Sequence, residues 1–355
     1  MVFSYAVCRF LRQAFCVQNT ESTEEATLVK PIRLGKTNIT INRLGLGSWA
    51  IGGPCMDGDS QMGWGDVDDA QSVRAIRAAL DMGVNYIDTA NIYGAGHSEE
   101  VVGRAIRGLR DRVVISTKFG ILCDPAAKRT TGIIHGADEV ASSCEASLER
   151  LGTDYIDLFL FHLGSCDEAL ACGVRDALEA LVAEGKIRAY GWSTERPELA
   201  AIFAEGEHCG AFMHIENIFE DYPDMLALSR RTGMASLCRS PLCMGLLTGK
   251  YGADTRFADN DLRGLNAPQW MNYFIDGRPN PEFIRRLDAI REILTQGGRT
   301  LAQGCLAWLW ARGENTVPVP GFRTEKQARD NAAALALGPL TDEQMRQIDA
   351  ALDRV

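Results

Sequence analysis

From residue 31 onward one pattern recurs: a short apolar run, an amphipathic stretch of ten to fifteen residues, then another apolar run. The runs are RLGLGSW (43–49), VNYIDTA (84–90), RVVISTK (112–118), YIDLFLF (155–161), IRAYGWS (187–193), AFMHIEN (211–217), MASLCRS (234–240) and TVPVPG (316–321), eight in all. Such runs read as strands covered on both faces. The stretches between them include DDAQSVRAIRAALDMG, SEEVVGRAIRG, ADEVASSCEASLERLG and GVRDALEALVAEG. Their apolar residues recur at i, i+3, i+4 and i+7 and most close on Gly, which predicts helices. Strands alternating with helices pair in parallel, because each return to the sheet needs a crossover. The fold class expected is therefore α/β, a closed (β/α)8 TIM barrel. A doubly wound open sheet normally opens with G-x-G-x-x-G after its first strand. The sequence GLGSWAIGG lacks that spacing.

Three additions decorate the barrel. KPIRLGKTNITINRL reads as an N-terminal hairpin with Gly35 and Lys36 near its turn. Residues 241–315 separate the last two strands and hold Trp270, Tyr273 and Phe274 plus helical patterns over 281–296 and 299–312. A last helix, 341–353, follows Thr341 with Gln344 at the capping-box position. No linker divides residues 31–355, which read as one barrel. Residues 1–30 read as a flexible tail: Arg9 and Arg12 interrupt its apolar run and no small-residue cleavage site follows, unlike a secretory signal. An organellar transit peptide is the competing reading of that tail.

A net charge of −10 argues against a nucleic-acid surface, which needs clustered Lys and Arg. No stretch approaches the roughly 18 uninterrupted apolar residues of a membrane helix. Eleven cysteines without CxxC pairs fit reduced thiols in the cytoplasm better than a disulfide framework. Oligomeric state is not readable from these features.

The chemistry concentrates at strand ends. Asp88, Tyr93, Lys118 and His162 lie in NYIDTANIYG, VVISTKFG and DLFLFHLG, and in a parallel barrel the carboxyl ends of the strands converge on one face. Lys118 is the anomaly, because VVIST draws it inward and a buried ammonium needs a partner. Asp88 on the neighbouring strand end is a suitable one. A lysine beside a tyrosine hydroxyl favours the phenolate, which predicts a lowered pKa for Tyr93 and acid–base work near neutral pH. His162 would orient a substrate oxygen by hydrogen bonding. The set suits protonation of a carbonyl oxygen but supplies no electron pair, so a hydride carrier is implied, namely a nicotinamide.

Over residues 31–355 the chain resembles the aldo-keto reductases, on the motifs DTANIYGAGHSEEVVGRAI, ISTKFG, YIDLFLFH, PLCMGLLTGKY and PGFRTEKQARDN in that order. The resemblance implies an NAD(P)H-dependent carbonyl reductase without metal or flavin, with Asp88, Tyr93, Lys118 and His162 as its tetrad. It also implies Ser48 and Trp49 beneath the cofactor, and Ser193 and Thr194 on the carboxamide. Ser240, Pro241, Leu242, Gly245 and Lys250 match the pyrophosphate loop, and Gly321, Phe322, Arg323, Gln327 and Asn331 the adenosine end. Barrels also bind phosphate at the loops after strands seven and eight. Arg323 suits a 2′-phosphate, which favours NADPH over NADH. Two positions depart from the family: His214 stands where many members carry Gln for the carboxamide, and Arg239 where many carry an aromatic that stacks on the nicotinamide.

Pocket walls are expected from Trp49, Trp64, Cys123 and the aromatics of 270–274, which suit small aldehydes, ketones or the matching alcohols with apolar bodies, with sugar-like or pyridoxal-like substrates as the alternatives. The resemblance extends to channel-associated β subunits, so a nucleotide-binding regulatory subunit is the alternative function. Other barrel chemistries fit less well. A glycosidase needs paired carboxylates, and His162, Cys166, Asp167 and Cys172 match no common zinc spacing.

Overall fold

The computed structural model describes residues 29–354, and the tail expected over 1–30 lies almost wholly outside them. All eight apolar runs form strands of one parallel sheet: β1 (Gly45–Gly47), β2 (Tyr86–Asp88), β3 (Val114–Phe119), β4 (Leu158–Phe161), β5 (Tyr190–Ser193), β6 (Cys209–Ile215), β7 (Ala235–Arg239) and β8 (Thr316–Pro318). They neighbour one another in chain order. The seam between β1 and β8 is narrow: a single parallel bridge joins Gly47 to Gly321, and Gly47 N donates to Pro320 O at 3.0 Å. A Cβ on Gly47 would stand 2.9 Å from Val319 O, so glycine is what lets the seam close.

Among the described residues ten α-helices accompany the strands: α1 (Asp69–Asp81), α2 (His97–Ala105), α3 (Glu139–Leu151), α4 (Glu168–Ala183), α5 (Pro197–Ala204), α6 (Pro223–Thr232), α7 (Pro281–Leu294), α8 (Leu301–Arg312), α9 (Glu325–Ala333) and α10 (Asp342–Ala351). Side-chain caps set many of the starts. The expected capping box at Thr341 and Gln344 is present, and Thr300–Gln303 and Thr324–Gln327 repeat it. Helix α4 begins ahead of the GVRDALEALVAEG pattern because Asp167 accepts from Leu170 N and caps an earlier turn.

Side-chain alternation divides the core in two. Tyr86, Val114, Leu158, Leu160, Ala189, Ala211, Met213, Ala235, Leu237 and Val317 fill the barrel interior. The opposite faces of the strands join the helices in a larger outer cluster. The N-terminal hairpin (strands Ile32–Arg33 and Thr40–Ile41) inserts Leu34, Ile39 and Ile41 into the interior cluster and plugs one end of the barrel. The hairpin turns at Gly35, whose φ is +51° and whose Cβ would lie 2.5 Å from Cys209 O. One feature has no sequence precedent, a small sheet of Met56–Asp57, Ser60–Gln61, Ile121–Asp124 and Arg129–Ile133. Strands of two to five residues carry too little periodicity to announce themselves. Among the described residues no helix is long and apolar enough to cross a membrane.

Candidate active site

With the hairpin plugging one end, the carboxyl ends of the strands are free to build a site at the other. Interior-facing positions recur every second residue. On β3 they run Val114, Ser116, Lys118, and β4 continues through Leu158 and Leu160 to His162. Each strand therefore ends its apolar column with a polar group facing the cleft.

Lys118 is fully buried and its Nζ makes three hydrogen bonds. It donates to Asp88 Oδ2 at 2.7 Å, to Thr89 O at 2.7 Å and to Tyr93 Oη at 3.0 Å. The other carboxylate oxygen of Asp88 accepts from Ser116 Oγ at 2.7 Å, and Ser116 Oγ is in turn 2.8 Å from Tyr86 Oη. Burial works against the ammonium, yet Asp88 and then Tyr93 more than offset it and hold Lys118 above the ordinary lysine range. Burial also pushes the Asp88 carboxyl upward, against the pull of Lys118 and Ser116.

Tyr93 corrects the expectation drawn from sequence. Lys118 does pull its hydroxyl down, but burial is the larger influence and Asp88 adds to it, so Tyr93 lies above the ordinary tyrosine value. It is held as a phenol. Because Nζ is only a donor, Tyr93 Oη accepts from it and keeps its own hydrogen for another partner. The loop presenting Tyr93 is fixed by a backbone crossing, where a Cβ on Gly94 would lie 1.8 Å from Gly52 O. That crossing stacks Tyr93 on Trp49 at 5.8 Å and 20°, and Trp49 Nε1 is anchored to Met62 O at 3.0 Å.

His162 faces the same cleft with its Nδ1 buried and without a protein partner among the described residues. Burial, then Lys118 and Arg239, push its pKa well below the ordinary histidine range, so the ring is neutral. Arg239 bonds Glu195 Oε1 at 2.7 Å, and the same oxygen accepts Ile215 N at 3.0 Å.

The cleft has a volume of about 860 Å³. It collects Trp49, Asp88, Tyr93, Lys118, His162, Ser193, Arg239, Ser240, Pro241, Leu242, Gly245, Lys250, Gly321, Phe322, Arg323, Gln327 and Asn331, all singled out from sequence. The backbone after β7 is left-handed at Ser240, Cys243, Met244 and Gly245. Three of those are not glycine, and such strain tends to persist where a loop is shaped for a task. Gln327 Oε1 accepts from Arg323 N at 2.8 Å, and Asn331 Nδ2 donates to Gly321 O at 3.4 Å, so these two shape the loop after β8.

Three of the residues assigned to the cofactor from sequence do not line the cleft. Ser48 is buried against Ser98 Oγ at 2.7 Å. Thr194 Oγ1 donates to Gly164 O at 2.7 Å and accepts from Arg196 N at 3.1 Å. His214 is fully buried on the outer face of β6, with Nδ1 3.0 Å from Ile215 O and Nε2 2.8 Å from Ser236 Oγ. A carbonyl only accepts, so Nδ1 donates and Nε2 accepts from the serine; burial lowers this ring to about 4, and neither nitrogen is left over. Period two explains the placement: Ala211 and Met213 face the interior and Ile215 faces the cleft, which turns His214 outward. Of the expected walls, Trp49, Trp64, Trp270 and Tyr273 line the cleft, whereas Cys123 does not and Phe274 packs on Tyr251 and Phe257. Sequence reading missed Glu195, Ile215, Glu220 and Lys326 as cleft residues. Glu195 was findable, being two residues beyond Ser193.

Known proteins share this architecture. The Aldo/keto reductase family profile matches residues 43–353. Aldo-keto reductase YhdN of Bacillus subtilis is 32% identical over 290 residues, covering 78% of this chain and 80% of its own. The NADH-specific methylglyoxal reductase of Escherichia coli is 31% identical over 345 residues, covering 92% and 100%. Among solved structures, the glycerol dehydrogenase of Gluconobacter oxydans superposes with TM-score 0.77 at 32% identity, over 91% of this chain and 95% of that one. An aldo-keto reductase of Klebsiella pneumoniae in complex with NADPH superposes with TM-score 0.64 at 29% identity, over 91% and 95%.

Proposed function

This chain belongs to the aldo/keto reductase family, and from that premise we propose that its cleft interconverts carbonyls and alcohols with a nicotinamide cofactor, Tyr93 being the general acid. The observation carrying the reading is the arrangement around Lys118 Nζ, which spends its hydrogen bonds on Asp88, Thr89 O and Tyr93 Oη. The donor set fits a dinucleotide. Ser193, Lys250, the left-handed loop after β7, Arg323 and Lys326 all line the cleft that holds the tetrad. The orphaned Nδ1 of His162 fits a bound polar partner.

When bound, the nicotinamide supplies the hydride for reduction and accepts it in the reverse direction. The residues of this chain handle the proton. Tyr93, held as a phenol by burial, directs its O–H into the cleft and gives that proton to the carbonyl oxygen as it gains charge. Lys118 then faces a phenolate 3.0 Å away and stabilises it, while Asp88 and Thr89 O keep the ammonium charged and in place. Neutral His162 hydrogen-bonds the same carbonyl oxygen and fixes its direction. Trp49, Trp64 and Trp270 wall the reacting end and exclude water, which suits aldehydes and ketones with apolar bodies.

NADPH is the preferred cofactor in this reading, on Arg323 and Lys326, the two cations that the loop after β8 and the start of α9 bring to the cleft. The relatives divide on the point, one being named NADH-specific and another crystallised with NADPH. The nine described cysteines are all free thiols, which supports the cytoplasm as the working compartment.

The test is Tyr93→Phe. Carbonyl-dependent NADPH oxidation should fall by about 10²–10⁴-fold, while NADPH binding, followed by tryptophan quenching, stays within about twofold because the phenyl ring still packs on Trp49. Undiminished turnover in the variant removes Tyr93 from its role. Wild-type protein that binds NADPH but oxidises it with no aldehyde or ketone would favour a regulatory, cofactor-sensing subunit instead.

A further inference from the structure

Tyr86 carries a hydroxyl into the apolar interior of the barrel. The residue is fully buried and belongs to the cluster of Leu158, Leu160, Met213 and Val319. Room for its ring is made on β1: Gly45 is its register partner, and a Cβ there would stand 2.6 Å from Tyr86 Cδ1. A hydroxyl in such surroundings is costly unless it is bonded.

Among the described residues its one partner is Ser116 Oγ on β3, at 2.8 Å. Ser116 has a single hydrogen and gives it to Asp88 Oδ1 at 2.7 Å, because a carboxylate oxygen only accepts. Ser116 Oγ therefore accepts from Tyr86, which fixes the direction of the chain: Tyr86 O–H to Ser116 O–H to Asp88 Oδ1. The other carboxylate oxygen takes Lys118 Nζ at 2.7 Å. Asp88 is thus held on one oxygen by an ammonium and on the other by two hydroxyls in series. Burial, then Asp88, keep Tyr86 well above the ordinary tyrosine range, so its hydrogen stays available to donate. Tyr86 Oη bonds nothing further among the described residues, so the chain brings no proton in from solvent. What it offers Asp88 is a fixed dipole.

The groups facing Asp88 are few. Lys118 and Ser116 come from β3, Tyr93 from the loop after β2, Tyr86 from its own strand, and Gly47 alone from β1. Arg239 acts on Tyr93 and on the neutral His162.

Resting on the reading of Tyr93 as the general acid, we propose that Ser116 and Tyr86 are positioning residues which, acting through Asp88, keep its carboxylate ionised and set the acid limit of carbonyl reduction. Lys118 remains an ammonium in place beside Tyr93 while Asp88 is a carboxylate. Once Asp88 takes up a proton, the buried ammonium loses its counter-charge, and the phenolate left by proton donation loses its support. Activity therefore falls as pH drops through the folded Asp88 value. The Ser116 hydrogen bond opposes burial in setting that value, so removing it moves the acid limb upward.

The experiment records kcat/KM for NADPH-dependent reduction of 4-nitrobenzaldehyde between about pH 5 and 9, on wild type, Ser116→Ala, Tyr86→Phe and the double variant. In Ser116→Ala the acid limb should move up by about one pH unit, the worth of one hydrogen bond to a buried charge, with the deficit shrinking towards pH 9. Tyr86→Phe should shift it in the same direction by less. Added to Ser116→Ala it should shift it no further, since Tyr86 acts through Ser116. Phenylalanine fills the same space beside Gly45, so Tyr86→Phe still reports if Ser116→Ala is unstable. A loss of equal size at every pH, unchanged profiles in both single variants, or a double variant whose shift is the sum of the singles overturns the proposal and leaves the role of Tyr93 standing. Wild-type protein that oxidises NADPH with neither 4-nitrobenzaldehyde nor any other aldehyde or ketone defeats the underlying reading as well.

Discussion

Replacing Lys118 by Met tests the electrostatics on which the site depends. The ammonium is fully buried and the Asp88 side chain is only 5% exposed, so neither partner can turn to water. Removing one member of a buried pair typically costs about 3–5 kcal/mol, because the other is left uncompensated. With unfolding entropy near 2.1 cal/mol/K per residue, a chain of this length has roughly 0.7 kcal/mol/K, so Tm should fall by about 4–7 °C. The loss should depend on pH in a definite direction. Burial already raises the Asp88 carboxyl, and without Lys118 it rises further. A carboxyl whose folded pKa exceeds its unfolded value loses stability as pH climbs from the unfolded value towards the folded one. Lys118→Met should therefore be more destabilised at pH 8 than at pH 5.5, because the raised Asp88 carboxyl is easier to protonate at the lower pH. Asp88→Asn in the same chain removes the orphaned charge, so the double variant should be more stable at pH 8 than Lys118→Met alone. The assay is calorimetric or far-UV CD unfolding of the four proteins at both pH values. A Tm for Lys118→Met within about 1 °C of wild type, or a double variant whose loss is the sum of the singles, refutes the reasoning.

Two further outcomes follow from buried groups. His162 is held neutral, so the pH profile of kcat/KM should show no histidine inflection between about pH 5 and 8; a break near 6.5 that disappears in His162→Gln would contradict this. Glu216 is fully buried 3.6 Å from Arg312 Nε, and burial raises its carboxyl from 4.5 to about 8. Its folded state binds the proton more tightly than the unfolded chain, so it removes stability as pH rises from about 4.5 to about 8. Glu216→Gln should gain on wild type by on the order of 2 kcal/mol between pH 5 and pH 8 in urea unfolding. A constant difference across that range would show that Glu216 does not titrate there.

How far the fold and site were legible depends on whether the relevant forces act locally. The eight strands were readable because each is buried on both faces and so appears as an unbroken apolar run, whatever its neighbours do. The tetrad was readable because Lys118, drawn inward by VVIST, needs a counter-charge that only another strand end can supply. What failed was every judgement that required knowing which donors and acceptors were already engaged. Tyr93 sits beside a lysine as expected, yet its hydroxyl moves upward, because burial is a property of the closed cleft and not of its sequence neighbours. His214 matches a family position in the alignment of motifs, but both its nitrogens are spent inside β6 and β7, and only the alternation of Met213 and Ile215 reveals that it faces outward. Arg323 lines the cleft as expected and keeps N–H groups for a ligand, but it also donates to the backbone carbonyls of Trp64 and Asp66 more than 250 positions away, where nothing in GFRTEK points. In each case the residue type stated a capacity and the tertiary structure decided where that capacity was used.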